Sequence, residues 1–393
     1  MLYYEQKNVW ILRSIASMAY PLRKPLYEIE RAAEPTCVCV SGGTGYIAGA
    51  IIARLLAAGH TVHATVRDPN SQTKLQYLKS LPGAGTRLHF FKADLEDAAS
   101  FLAPIKGCKY VLHTASPVVM NPPKGKEYET VIRPAVSGVE NVLSAVDKTP
   151  GVQRVVMTSS VGAVAGDHWE RGPNHIFTEE DWNQTATETF LPYHRSKVLA
   201  EQKAFELCEA QSRWSLVTIL PSVVQGPPPG NVKCEVVGFM RKLMNGGYYP
   251  WAPKSGAGYV DIDDVAAAHT LAMLTPKASG RYIVSAQSMT LPQYIDRLKP
   301  EYGMYKLPFV PLPFWVIWIA ITLMGSKVFD KELLRCTVGK VPHFDTSKVK
   351  TDLGLDFMDV RKTAQDMAAS LLELGVVKRL PGAPQPSKFY SKL

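Results

Sequence analysis

The stretch "YHRSK", Tyr193 to Lys197, sets a phenol and an amine four residues apart at the start of a helical pattern continuing through "SKVLAEQKAFELCEAQ". On a helix, residues i and i+4 stand one above the other, so the Lys197 ammonium can approach the Tyr193 hydroxyl from the next turn. A nearby positive charge favours phenolate, which predicts a lowered tyrosine pKa and a phenol able to exchange a proton near neutral pH. Tyr-x-x-x-Lys also arises by chance, so other segments must supply what the pair would act on.

The turn "SGGTGYIAG" supplies one candidate, because it follows an apolar strand pattern and opens a helical one. Read as GxGxxG/A it is Gly43, Gly45 and Ala48; read as GxxGxxG it is Gly42, Gly45 and Ala48. Either reading permits a tight turn and lets the backbone approach a pyrophosphate at a helix N-terminus, where amides and macrodipole favour anions. The second strand ends in "TVRDPNSQTK", where an NAD-binding chain usually offers Asp or Glu to the ribose. Here Arg67 comes first, and an arginine can pair with the 2′-phosphate of NADP, with Lys74 as a second cation. Asp68, just before Pro69, reads as a turn residue.

The elements that must position these residues follow from Thr36 onward. Short β-branched runs ("TCVCV", "LHFFKA", "KYVLHTA", "VQRVVMTSS", "WSLVTIL") alternate with helical stretches, the pattern of a parallel sheet covered on both faces. The expected fold is α/β, a Rossmann-type doubly wound parallel sheet with a smaller, discontinuous C-terminal substrate lobe. The division expected is an N-terminal extension over 1–35, a dinucleotide-binding domain over 36–221 and 258–284, a substrate lobe over 222–257 and 285–379, and a flexible tail over 380–393.

Composition excludes several other classes. The formal charge of +9 is spread along the 393 residues without a dense basic run, so no nucleic-acid partner is expected. The six cysteines, Cys37, Cys39, Cys108, Cys208, Cys234 and Cys336, form no CxxC unit and have no histidine close in sequence. No metal site is expected; they read as core residues of a reducing compartment. Arg13 interrupts the apolar part of the first 35 residues, unlike a signal peptide. A cytoplasmic location is expected, with an organellar or membrane-associated one through residues 1–35 as the alternative, by peripheral contact or docking into an assembly. The run "FWVIWIAITLM", Phe314 to Met324, is about half the length of a membrane span and reads as a buried or pocket-lining helix.

The glycine turn, "VRDPNSQTK", "KADL", "VLHTASP", "TSSVGAV", "YHRSK", "LPSVVQGP" and "YVDIDDVAAAH" occur in this order. With them the chain resembles an extended short-chain dehydrogenase/reductase of the NAD-dependent epimerase/dehydratase superfamily, nearest the dihydroflavonol-reductase and cinnamoyl-CoA-reductase group. The resemblance runs from about Thr36 to about Val377. It implies a catalytic triad of Ser160, Tyr193 and Lys197, with NADPH/NADP as cofactor. By the same resemblance Gly42, Thr44, Gly45, Tyr46 and Ile47 line the pyrophosphate turn, and Arg67 and Lys74 match the 2′-phosphate positions. Asp94 and Leu95 flank adenine, Thr114, Ala115 and Ser116 lie beside the cofactor, and Pro221, Ser222 and Val223 approach the nicotinamide end. His113 reads as part of its strand. Two departures bear on the substrate: Ala165 stands where dihydroflavonol reductases carry a polar residue, and "FLPYHRSK" replaces the "NWYCY" of cinnamoyl-CoA reductases. The function expected is NADPH-dependent reduction of an aldehyde or ketone, the substrate a small-molecule, hydrophobic carbonyl compound. The alternatives are a hydroxysteroid- or sterol-type dehydrogenase of the same superfamily and a non-catalytic nucleotide-binding subunit of a larger assembly.

Overall fold

The computed structural model describes residues 22–117, 119, 122–230, 232, 234–324 and 331–385. Most of the expected N-terminal extension (1–21) and the end of the expected tail (386–393) lie outside the described residues. Seven parallel strands form the main sheet: β1 (Cys37–Ser41), β2 (Thr61–Val66), β3 (Leu88–Lys92), β4 (Tyr110–His113), β5 (Arg154–Thr158), β6 (Ser215–Pro221) and β7 (Gly280–Val284). Their spatial order is β3-β2-β1-β4-β5-β6-β7. This is the doubly wound, Rossmann-type sheet. The chain order reverses between β1 and β4, and ligands of such sheets bind in the crevice beyond the C-terminal ends of the strands at that point.

Alternation along β1 shows why the sheet is covered twice. Val38 and Val40 join a core with Ile51, Ile52 and Leu55 of the Tyr46–Ala57 helix and Val265 and Leu271 of the Ile262–Leu274 helix. Cys39 points the other way, into a core with Val139, Val142 and Leu143 of the Arg133–Asp147 helix and Ala200 and Ala204 of the Pro192–Glu209 helix. Burial on both faces is why these strands read as near-continuous apolar runs.

A second core joins Met240, Leu243, Tyr294, Ile295, Leu298, Met367 and Leu371. Beside it, Gly256–Asp261 pairs parallel with Val223–Gln225 and antiparallel with Gln287–Thr290. The expected boundary at 258 therefore falls inside a strand of this smaller sheet, whereas the helix that follows packs under the main one. The apolar helix Phe314–Met324 buries Ile317 but leaves Trp315, Trp318 and Ile319 exposed, so only one side of it meets the expectation of a buried helix. No helix among the described residues is long and apolar enough to cross a membrane.

Residues 22–35 form a strap across the main domain. Arg23 pairs with Asp261, with Asp263 at 3.1 Å and with Asp366 at 3.1 Å, and Lys24 reaches Asp264 at 2.7 Å. Buried Glu30 accepts from Arg54 Nε at 2.5 Å and from the Thr270 hydroxyl. Burial holds Asp264 up at about 6 despite Lys24.

Candidate active site

The glycine turn leaves β1 and enters the Tyr46–Ala57 helix at the switch point. Gly42 has φ +70°, and a Cβ there would stand 3.1 Å from Ala115, at the end of β4. A side chain would be strained and would fill the gap between the two strand ends. Gly45 caps the helix with no side chain among the described residues bonded to its first-turn amides, which leaves them to an anion. Thr44 and Ile47 flank this cap half-buried. Tyr46 turns inward, and its hydroxyl donates to the Gly226 carbonyl at 2.7 Å, so only its backbone belongs to the turn.

Ser41 Oγ organises the other wall: it accepts the amides of Thr114 and Ala115 at 3.0 Å each and meets His113 Nδ1 at 2.8 Å. Burial, then the Lys197 charge, depresses His113 to about 3, which keeps it neutral and structural. Arg67 and Lys74 are exposed at the far end of β2 and on the Gln72–Lys79 helix, with no acidic partner among the described residues. Asp94 is exposed and shapes its turn by accepting the Glu96 amide. Leu95 packs against Gly138. Pro221 ends β6, and Ser222 and Val223 follow it; Ser222 Oγ is buried with no hydrogen-bond partner among the described residues, whereas Val223 is exposed. The free capping amides, the Cβ-free gap at Gly42 and two unpaired cations beyond β2 fit a phosphorylated dinucleotide.

The helix Pro192–Glu209 brings the phenol and amine to this crevice. Pro192 suits its first turn, and Leu191 just before it is a non-glycine residue at φ 53°. That strained conformation is held by burial of Leu191 with Ala186 and Cys336. Ser160, just beyond the end of β5, accepts the Gly162 amide at 3.0 Å and lies close enough to the Tyr193 phenol to oppose the rise in its pKa. Lys197 Nζ donates to Ser116 Oγ at 3.2 Å and stands 5.8 Å from the centre of the Tyr193 ring. Ser160, Tyr193, Lys197 and Ser116 thus meet at the C-terminal ends of β4 and β5.

The electrostatics differ from the sequence expectation. Burial raises the Tyr193 pKa, with Ser160 opposing it, and burial lowers Lys197 to about 8 despite Glu201. The ammonium is turned to Ser116 and is itself desolvated, so the predicted lowering of the phenol is outweighed. Sequence reasoning missed Glu201, one turn beyond Lys197. This fully buried carboxylate accepts Ser159 at 2.8 Å and Thr218 at 2.6 Å and pairs with Arg281 at 3.1 Å. Ser159 is thereby turned away from the crevice that Ser160 faces. Its signal was an acid four residues after Lys197 on the same helix face, but the partners lie on β5, β6 and β7.

Residues 38–285 match the NAD dependent epimerase/dehydratase family, and the chain belongs to it. It is an extended short-chain, NADP-dependent oxidoreductase. It is 35% identical to tetraketide alpha-pyrone reductase 1 of Arabidopsis thaliana over 86% of this chain and 96% of that one. With cinnamoyl-CoA reductase CAD2 of Medicago truncatula it shares 37% identity over 86% of this chain and 95% of the relative. Its fold superposes on yeast methylglyoxal/isovaleraldehyde reductase Gre2 complexed with NADPH with a TM-score of 0.71, at 27% identity over 86% of this chain and 99% of that one.

Proposed function

We propose that the protein reduces a hydrophobic aldehyde or ketone to its alcohol through Ser160, Tyr193 and Lys197. The observation that carries this reading is the buried Lys197, its Nζ 3.2 Å from Ser116 Oγ and 5.8 Å from the centre of the Tyr193 ring, with Ser160 beside that phenol at the mouth of the nucleotide crevice. Bound NADPH supplies the hydride that reaches the carbonyl carbon. The first-turn amides after Gly45 would hold its pyrophosphate, and Arg67 and Lys74 its 2′-phosphate.

The chain's own groups handle the oxygen. Ser160 and Tyr193 both donate to the carbonyl oxygen as negative charge develops there, the logic of an oxyanion hole. The Tyr193 proton passes to that oxygen, and Lys197, at about 8, stabilises the phenolate left behind until solvent restores the proton. Raised by burial, the phenol is protonated at neutral pH and so starts as an acid, which suits the reductive direction.

A hydrophobic substrate is supported by the wall beside this mouth. Leu191, next to the catalytic helix, packs with Cys336 and Leu333, and Leu334 and Val338 of the same segment pack with Ile317. Ala165 is buried in an apolar cluster with Val164 and Phe177, which offers no polar group to read a flavonoid hydroxyl. NADPH oxidation with a panel of hydrophobic aldehydes, ketones, flavonoids, CoA thioesters and ketosteroids tests the reading. Turnover of apolar aldehydes or ketones supports it, and turnover confined to CoA thioesters, or of no class in the panel, overturns it.

A further inference from the structure

At the N-terminal end of the main sheet's central strands, opposite the nucleotide crevice, the fold gathers three groups that are far apart in sequence. Cys37 opens β1, Cys108 stands two residues before β4, and His63 lies on β2 in register with Cys39. The Cys37 and Cys108 sulfurs are 3.3 Å apart, and Cys108 Sγ is 3.5 Å from His63 Nδ1. Cys37 and His63 are half-buried, so small solutes reach them, whereas Cys108 is buried and Cys39 is sealed in the core.

From this cluster we infer that Cys37 and Cys108 are a peroxide-reactive dithiol that closes to a reversible disulfide. Cys108 hydrogen-bonds Cys37 and, with His63, holds its pKa well below the ordinary thiol value; the His63 pKa rises in turn, through its bond to Cys37. A partly exposed thiol of depressed pKa beside a histidine and a second thiol is the environment of reactive cysteines. By contrast, burial raises the Cys39, Cys208, Cys234 and Cys336 thiols.

The step balances with hydrogen peroxide as oxidant. The Cys37 thiolate attacks one peroxide oxygen, the O–O bond breaks, and the departing hydroxide takes the His63 proton as water. Cys108 sulfur then attacks the Cys37 sulfenic acid; its S–H proton leaves with the hydroxyl as a second water, and the two sulfurs have given two electrons to the peroxide. The two sulfurs already stand 3.3 Å apart, so side-chain adjustment brings them to the about 2.05 Å of a disulfide bond. The pair ties the starts of β1 and β4, whose other ends carry Gly42 and Thr114, so closure leaves Tyr193 and the nucleotide crevice in place.

The test uses the full chain, reduced, desalted and exposed to hydrogen peroxide, then alkylated under denaturing conditions and mapped by peptide mass spectrometry. The expected result is a Cys37–Cys108 disulfide, 2 Da lighter than the dithiol, formed before any other cysteine is modified and reversed by dithiothreitol. Cys37→Ser should leave Cys108 alkylatable, and His63→Phe should slow closure tenfold or more while keeping both thiols. Modification of Cys208 or Cys234 first, oxidation of Cys37 without the cross-link, or stoichiometric zinc retained by wild type but not by Cys37→Ser would overturn the inference, the last in favour of a metal site.

Discussion

Replacing Lys197 by methionine should make the NADPH-free protein more stable while it disables the enzyme. Burial lowers the Lys197 pKa from 10.5 to about 8; at about 1.4 kcal/mol per tenfold change in acidity, holding the ammonium in the fold costs about 3 kcal/mol. The cost is complete below about pH 8. Between about 8 and 10.5 the unfolded chain keeps a proton the native state has released, so native stability rises with pH until the difference is gone. Methionine fills the same channel without charge and forfeits the hydrogen bond to Ser116, worth about 1 kcal/mol. The net gain at pH 7 is about 2 kcal/mol. Glu201 does not become an orphan, because Arg281, Ser159 and Thr218 still satisfy it. Thermal scans of the two NADPH-free proteins at pH 7 and pH 10 measure this: the variant should melt several degrees higher at pH 7, and the gap should close at pH 10. A variant that melts below wild type at pH 7, or a gap that ignores pH, refutes the reasoning.

Three further perturbations follow from named contacts. Arg67→Ala removes a charged partner of the 2′-phosphate and should weaken NADPH binding tenfold or more, about 1.5 to 3 kcal/mol, with NADH nearly unchanged in fluorescence titrations. Glu201→Gln leaves the buried Arg281 guanidinium without its carboxylate and should cost about 3 to 5 kcal/mol, read by urea denaturation. Arg23→Ala leaves Asp261 and Asp263 buried without their cation. It should lower the melting temperature at pH 7 by several degrees, read by thermal scans.

The parts legible in the sequence are those written in local order. Strand and helix periods, the glycine turn and the i,i+4 spacing of Tyr193 and Lys197 each lie within one short window, and the sheet follows from their alternation. What escaped depends on residues that meet only after the chain has folded. Arg23 and Lys24 look like solvated cations until Asp261, Asp263, Asp264 and Asp366 are brought to them from more than 230 positions away. Cys37, His63 and Cys108 meet only because β2 and β4 both flank β1. The sign of the Tyr193 shift also escaped, because spacing reveals a neighbouring charge but not the desolvation that outweighs it.

The most direct test of catalysis by this site is single-turnover reduction of the best hydrophobic carbonyl by wild type and Tyr193→Phe, with NADPH affinity measured on both. The substitution keeps the ring and removes the hydroxyl that lies beside Ser160, so NADPH should bind within about twofold of wild type while reduction slows by about 10² to 10⁴, the usual loss of general-acid catalysis. Equal single-turnover rates for the two proteins would contradict the account.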